Sequence, residues 1–172
     1  MLRVYFDNDV VSPISRRDWD NSELDAIDRL LDAKRTSTIV LGASRQSLRE
    51  IERAPSQYQA KLKTGLSELI LAENDHIVLG FNSHTDQYGG YICNPMVSDI
   101  IDEQMYSAFL ASGLKEDDAK HLMYAVHNGY QRFLTCDNGI LSRRIGLEKH
   151  CPSIRIQKPS ELVAELLVAD VC

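Results

Sequence analysis

Two segments set carboxylates directly behind short apolar runs: Phe6-Asp7-Asn8-Asp9-Val10, and Phe133-Leu134-Thr135-Cys136-Asp137-Asn138. In open parallel sheets, ligands gather outside the carboxyl ends of the strands, so acids delivered there suit a metal or phosphate site. Two further acids join them as candidates, Glu50 in Leu48-Arg49-Glu50-Ile51-Glu52 and Asp118 in Glu116-Asp117-Asp118. Hard divalent cations such as Mg²⁺ and Mn²⁺ take carboxylate oxygens and water, and two such ions about 4 Å apart stabilise both oxygens of a phosphodiester cleavage. Three or four clustered carboxylates are what that chemistry needs. Without a cation they repel, and at least one pKa must rise.

Each acid also has a plainer role. Asp118 opens a helix, where acids complement the dipole and cap free N–H groups. Glu50 sits equally well on a solvated helix face, and Glu52 or Asp18 can replace it. Asp137-Asn138-Gly139 is a turn sequence, and Asp7-Asn8-Asp9 can cap a loop. Against this, Asp is depleted in strands and neither Asp7 nor Asp137 has a cation beside it in sequence.

The elements that must position these acids alternate between strand and helix. After the first strand, Trp19 to Ala33 reads as an amphipathic helix with Leu24, Ile27, Leu30 and Leu31 on one face. A strand over Thr38 to Leu41 follows, then a helix over Ser44 to Ala54 stopped by Pro55, then an apolar stripe of Leu62, Leu66, Leu69 and Ile70 running to Asn74. His76 to Leu79 reads as a short strand and residues 80–94 as a long loop, since Gly80, Gly89 and Gly90 interrupt any periodicity. Val97, Ile100, Ile101 and Ala108 predict one helix, and Ala119, Leu122, Met123 and Val126 another. Arg132 to Cys136 and Ser153 to Gln157 read as strands before a last helix marked by Leu162, Val163, Leu166 and Leu167. This order predicts an α/β fold, a parallel sheet with helices on both faces, in a single domain over 1–172.

At 172 residues and 44% hydrophobic, the chain is long enough to bury a substantial core. No apolar stretch reaches the roughly 18 residues a membrane helix needs, which leads us to expect a cytoplasmic protein without membrane contact. The four cysteines form no C-x-x-C pair and predict reduced thiols rather than zinc or disulfides. A net charge of −6 argues against a protein that coats nucleic acid through many lysine and arginine contacts. It does not exclude a nuclease, because bound cations restore positive charge locally.

Jointly, Val4-Tyr5-Phe6-Asp7-Asn8-Asp9-Val10-Val11, Ser47-Leu48-Arg49-Glu50-Ile51, Asp118-Ala119-Lys120-His121-Leu122 and Phe133-Leu134-Thr135-Cys136-Asp137 resemble the successive motifs of the PIN-domain nucleases. The likeness spans nearly the whole chain. It implies a PIN-like fold and a metal-dependent nuclease, chiefly an endoribonuclease acting on RNA, with one or two Mg²⁺ or Mn²⁺ ions held by Asp7, Glu50, Asp118 and Asp137. It also implies support from the Thr135 hydroxyl and from Asn8, Asp9 and Asn138 around the acids. Many small bacterial members are toxins of toxin–antitoxin pairs, so an antitoxin protein and a homodimer are implied partners. The chain departs from the pattern at Asp9, where Asn or Ser is common, and residues 80–94 have no counterpart in the resemblance.

Remaining candidates are weaker. Arg16, Arg17, Arg143 and Arg144 follow the strand-end acids and are candidate phosphate contacts, with an exposed arginine pair as the alternative. His121 reads as a hydrogen-bonded packing residue, since hard metals prefer oxygen, and His76, His84, His127 and His150 have no ligand spacing. Asp7-x-Asp9-x-Val11 also resembles the first motif of haloacid-dehalogenase-type phosphatases, in which Asp7 would be a nucleophile and Asp9 a general acid/base. The lysine and acidic pair that family needs come in the wrong order. A PIN-like module that binds RNA or protein without turnover is the non-enzymatic alternative.

Overall fold

The computed structural model describes residues 1–16, 21–71 and 77–169. Arg17, Asp18, Trp19, Asn74, His76 and Cys172, on which parts of the sequence reading fell, lie outside that range. So does the Arg16 side chain.

The chain is an α/β protein built on a parallel five-stranded sheet. Its central strand β1 (Leu2–Phe6) pairs with β2 (Ile39–Ala43) on one side and β6 (Arg132–Leu134) on the other. The two-residue β3 (Ile70–Leu71) extends β2, and β7 (Arg155–Gln157) extends β6, giving the order β3-β2-β1-β6-β7. Side chains alternate between the faces of a strand, and β1 is apolar on both. Val4 and Phe6 face one core, with Ile39, Leu41 and Leu134 beside them. Tyr5 faces the other, stacked on Phe133 at 5.4 Å between ring centres.

Helices close both cores. On the Val4 side lie α1 (Asn8–Arg16), α2 (Asn21–Arg35), α4 (Ser56–Ser67) and α9 (Pro159–Ala169), contributing Val10, Val11, Ile27, Leu30, Leu66 and Leu162. On the Tyr5 side lie α5 (Glu103–Ala111), α6 (Glu116–His127) and α8 (Arg144–His150), contributing Phe109, Leu122, Met123 and Leu147. Two helices flank the site: α3 (Arg45–Arg53) follows β2, and the one-turn α7 (Asn138–Leu141) follows β6. The apolar face foreseen for α2 is buried as expected, from Leu24 to Leu31.

Several boundaries differ. The Asn8-Asp9 segment is the first turn of α1 rather than a loop, with the Asp7 carbonyl accepting from Val10 and Val11 N–H at 3.0 Å each. The stripe expected to run to Asn74 ends at Ser67, because Ile70 turns into the edge strand beside Gly42. Residues 80–94 are no loop: β4 (Ile77–Thr85) and β5 (Tyr91–Ser98) form an antiparallel hairpin that takes in Val97, placed in a helix by its spacing. A register shift between Val78 and Gly80 breaks the period-2 signal that would have revealed it.

Gly42 is required by close approach. A methyl there would overlap the Tyr130 hydroxyl and sit 2.8 Å from the Ile70 carbonyl oxygen. Overpacking of this kind costs about 1–3 kcal/mol, so Gly42→Ala is expected to lower the urea midpoint with an unchanged slope; an unchanged midpoint would show that Tyr130 yields freely.

Candidate acidic site

The acids gather at the carboxyl edge of β1 and β6. Asp7, 5% exposed, follows the last residue of β1. Its Oδ1 accepts from Asn8 N–H at 2.8 Å and its Oδ2 from the Thr135 hydroxyl at 3.0 Å. Thr135, fully buried behind β6, also receives Asp137 N–H on its Oγ1 at 3.1 Å. One hydroxyl therefore ties the two strand-end acids together. Asp137 realises its plainer role too: as N-cap of α7, its Oδ1 accepts from Gly139 and Ile140 N–H.

Asp118 reaches the same place from α6. It lies in the first turn of that helix but makes no cap bond; the N-cap is Lys115, without a side-chain cap. Burial first, then the charges of Asp7 and Asp137, push its carboxyl up to about 6. The acids that follow β1 and β6 thus lie within electrostatic reach of Asp118 on α6. Burial also raises the Asp7 carboxyl, against the opposing pull of His121 and two hydrogen bonds.

Glu50 is placed by α3, whose N-cap Ser44 accepts from Gln46 N–H at 3.2 Å. Both its oxygens are occupied: Oε2 by Asn8 Nδ2, and Oε1 by His121 Nε2 at 2.8 Å and Gln46 Nε2 at 3.2 Å. Burial is the largest influence on the Glu50 carboxylate and disfavours it, but the bond and charge of His121 together with the Asn8 and Gln46 bonds outweigh it and hold the pKa below the usual range. Burial likewise pulls His121 down, and Glu50 and Asp7 more than restore it. The two form a hydrogen-bonded pair, each favouring the charged form of the other. Beneath it, the Tyr5 hydroxyl bridges His121 Nδ1 at 2.6 Å and Ser44 Oγ at 2.7 Å.

Tyr5, Ser44 and Gln46 are the site residues that sequence reasoning missed. His121 is the hydrogen-bonded, buried residue expected, yet it is also one helical turn from Asp118. That i, i+3 spacing was the available signal, together with the i, i+4 pair of Gln46 and Glu50. Truncating His121 to Ala would remove one of the two partners of the Tyr5 hydroxyl and the imidazole partner of the Glu50 carboxylate, a cost of about 2–4 kcal/mol. We expect a urea midpoint well below wild type, and a change under about 0.5 kcal/mol would contradict the pairing.

The other candidates separate. Asp9 turns inward: its Oδ2 accepts from Cys136 N–H at 2.8 Å and the Thr135 hydroxyl at 3.3 Å, and burial then Asp7 push its pKa well up. Tied down in this way, it is poorly placed for the mobile acid/base role of a phosphatase. Arg143 lies against the Asp137 turn, Nη1 donating to the Gly139 carbonyl at 2.6 Å. Arg144 instead pairs with Glu161 at 3.0 Å. Asp117 rather than Asp118 pairs with Gln46 and Arg53.

Among the described residues, no group of three or more His, Cys, Asp and Glu side chains converges into a ready metal cage. The donor chemistry nevertheless fits a hard cation. The charges of Asp7 and Asp137 on Asp118 are only partly offset by Lys115 and His121, and among the described residues the buried Oδ1 atoms of Asn8 and Asp9 have no partner. Both residues, with Glu50 and Ile51, line a cleft of about 280 Å³.

Compared with protein-family models, with curated proteins and with solved structures, the chain matches none. Its class is therefore defined by its own architecture, a parallel α/β sheet with an acidic cluster at the carboxyl edge of its central strands. Among the described residues no helix is long and apolar enough to cross a membrane.

Proposed function

We propose that the chain is a divalent-metal-dependent endoribonuclease of PIN-like fold. One observation carries the reading: Asp7 and Asp137, remote in sequence from Asp118, lie near enough in the fold for their charges to add to burial in lifting its carboxyl to about 6. Nothing in the fold requires such repulsion, and strain of this kind concentrates at functional sites. Asp7, Asp118 and Asp137 would hold one or two Mg²⁺ or Mn²⁺ ions, with Glu50 completing the set when its hydrogen bonds rearrange. Bound there, the cation would acidify a water and offset charge building on the phosphate.

The chain's own residues supply positioning. Thr135 fixes Asp7 and the turn that carries Asp137, and Asn8 and His121 hold Glu50 ionised. Arg143 and Lys115 carry positive charge beside Asp137 and Asp118, where RNA phosphates would lie. The resemblance also suggests a toxin with an antitoxin partner, for which a small adjoining reading frame is the thing to seek.

The test is incubation of a mixed structured RNA with the purified chain, in Mn²⁺ or in chelator, beside a phosphate monoester. We expect cleavage of RNA in Mn²⁺ alone. Monoester turnover without RNA cleavage would replace the proposal with phosphatase chemistry, and a folded chain that cleaves nothing would leave a binding module.

A further inference from the structure

The helices that carry Glu50 and Asp118 belong to different cores. Leu48 and Ile51 of α3 pack with the Val4-side core, whereas Ala119, Leu122 and Met123 of α6 pack with the Tyr5-side core. What joins α3 to α6 is polar. Gln46 Nε2 donates to Asp117 Oδ1 at 2.6 Å and Arg53 Nη1 to Asp117 Oδ2 at 3.0 Å, and His121 Nε2 meets Glu50 Oε1 at 2.8 Å. Partly exposed polar contacts of this kind exchange readily with water, so how the two helices sit depends on the whole network rather than on close packing.

One further residue enters that network from outside both helices. Asp99 directly follows β5, and its Oδ2 accepts from Lys120 Nζ at 2.8 Å and from Arg49 Nη1 at 3.0 Å. Arg49 adjoins Glu50, and Lys120 lies between Asp118 and His121. Both cations are thus within 3.0 Å of one oxygen, and without its charge they would repel each other across the seam. The post that carries this carboxylate is fixed. The Asp99 carbonyl accepts from the hydroxyl of Tyr124, a buried α6 residue, at 2.6 Å, and Ser98 Oγ accepts from Ile100 N–H at 3.1 Å on the other side of it. Burial disfavours the Asp99 carboxylate, but the Lys120 bond and the charges of Lys120 and Arg49 help to outweigh it and keep the group ionised.

We infer that Asp99 is a positioning residue of the acidic site: by bridging Arg49 to Lys120 it holds α3 against α6 and so sets Glu50 relative to Asp118 and His121. The inference rests on the metal-dependent nuclease reading above. Asp99 touches neither the acids nor the place of the phosphate; it acts through the two cations. Because a displacement of about 1 Å at a catalytic group can cost roughly 10²-fold in rate, a bridge that adds little to stability can matter greatly to turnover.

RNA cleavage kinetics in Mn²⁺, calorimetric Mn²⁺ affinity and melts in chelator test this with Asp99→Asn, Arg49→Gln, the double variant and Asp99→Glu. We expect Asp99→Asn to lower kcat roughly 10- to 100-fold, to leave KM unchanged or lower, to weaken Mn²⁺ several-fold and to melt within about 5 °C of wild type. Arg49→Gln should reproduce the kcat loss, and the double variant should lose no more than the worse single one, as members of one bridge must. Asp99→Glu, which keeps the charge, should recover most of the rate. Arg49→Gln and Asp99→Glu also cover the case in which Asp99→Asn does not fold. With an active wild type, an Asp99→Asn kcat within twofold, a loss confined to KM, or additive losses in the double variant would overturn the inference alone. A folded wild type that neither binds Mn²⁺ nor cleaves RNA would overturn the metal reading and the inference with it.

Discussion

Asp7→Asn is expected to lower metal-dependent RNA cleavage by roughly 10³-fold, about 4 kcal/mol of transition-state stabilisation, while leaving the folded chain at least as stable. The two halves come from the same geometry. Asp7 sits 5% exposed at the end of β1, where an asparagine of the same shape keeps an acceptor for Asn8 N–H. What it loses is a charge that burial already disfavours and that raises the Asp118 and Asp9 carboxyls. Removing a ligand and relieving repulsion therefore act on different observables. Cleavage rates in Mn²⁺ beside melting curves in chelator separate them. Cleavage within tenfold of wild type would remove Asp7 from the chemistry, and a collapse of the melting temperature would make it structural.

The second large effect is on stability against pH. The Asp118 pKa is raised from an unfolded value near 3.9 to about 6, so between these pH values the folded chain holds more protons than the unfolded one. Its contribution to stability therefore grows as pH falls through that window, and Asp7 and Asp9, also raised, act in the same direction. His121, raised too, contributes stability below its ordinary value of 6.5 that is lost as pH rises through its folded value. Glu50, held low, opposes them: its contribution is present above its ordinary 4.5 and lost as pH falls through the folded value. In chelator the melting temperature should thus rise as pH falls from 8 to about 4.5, below which loss of the Glu50 contribution opposes further gain.

A bound cation removes the same repulsion. At a concentration about 100 times its dissociation constant it adds roughly 2.7 kcal/mol, or some 5–10 °C for a domain of this size. That gain should be near full at pH 7.5 and much smaller at pH 5, where Asp118 is protonated. Thermal melts with Mn²⁺ and with chelator at both pH values check it; equal shifts at the two would mean that the ion binds elsewhere.

The parallel α/β class was legible because the apolar runs Val4-Tyr5-Phe6 and Phe133-Leu134 are short, continuous and separated by amphipathic helices, as strands buried on both faces must be. What failed was local. Asn8 and Asp9 look like loop residues, and only the Asp7 carbonyl bonds to Val10 and Val11 reveal a helix starting there. Ile70 fits the stripe of α4 until edge pairing to Gly42 claims it. The hairpin was hidden by its register shift and by Gly80 and Pro95, each a strand breaker in isolation and here a device at a strand edge.

The strand-end positions of Asp7 and Asp137 and the helix-start position of Asp118 were legible, because such placements are sequence properties. Their partners were not. Tyr5 reads as an ordinary core aromatic in an apolar strand, and that its hydroxyl joins His121 to Ser44 follows only from folding β1, β2 and α6 together. The occupied state of Glu50 was equally invisible, because Asn8, Gln46 and His121 come from three separate helices.

Calorimetric titration of Mn²⁺ into the chelator-treated chain at pH 7.5, repeated with Asp7→Asn and Asp118→Asn, tests the central claim most directly. A metal site formed by Asp7, Asp118 and Asp137 predicts saturable binding of one or two ions in the wild type and a loss of at least tenfold in affinity in each variant. Absence of binding by the folded wild type, or binding unchanged in both variants, would contradict it.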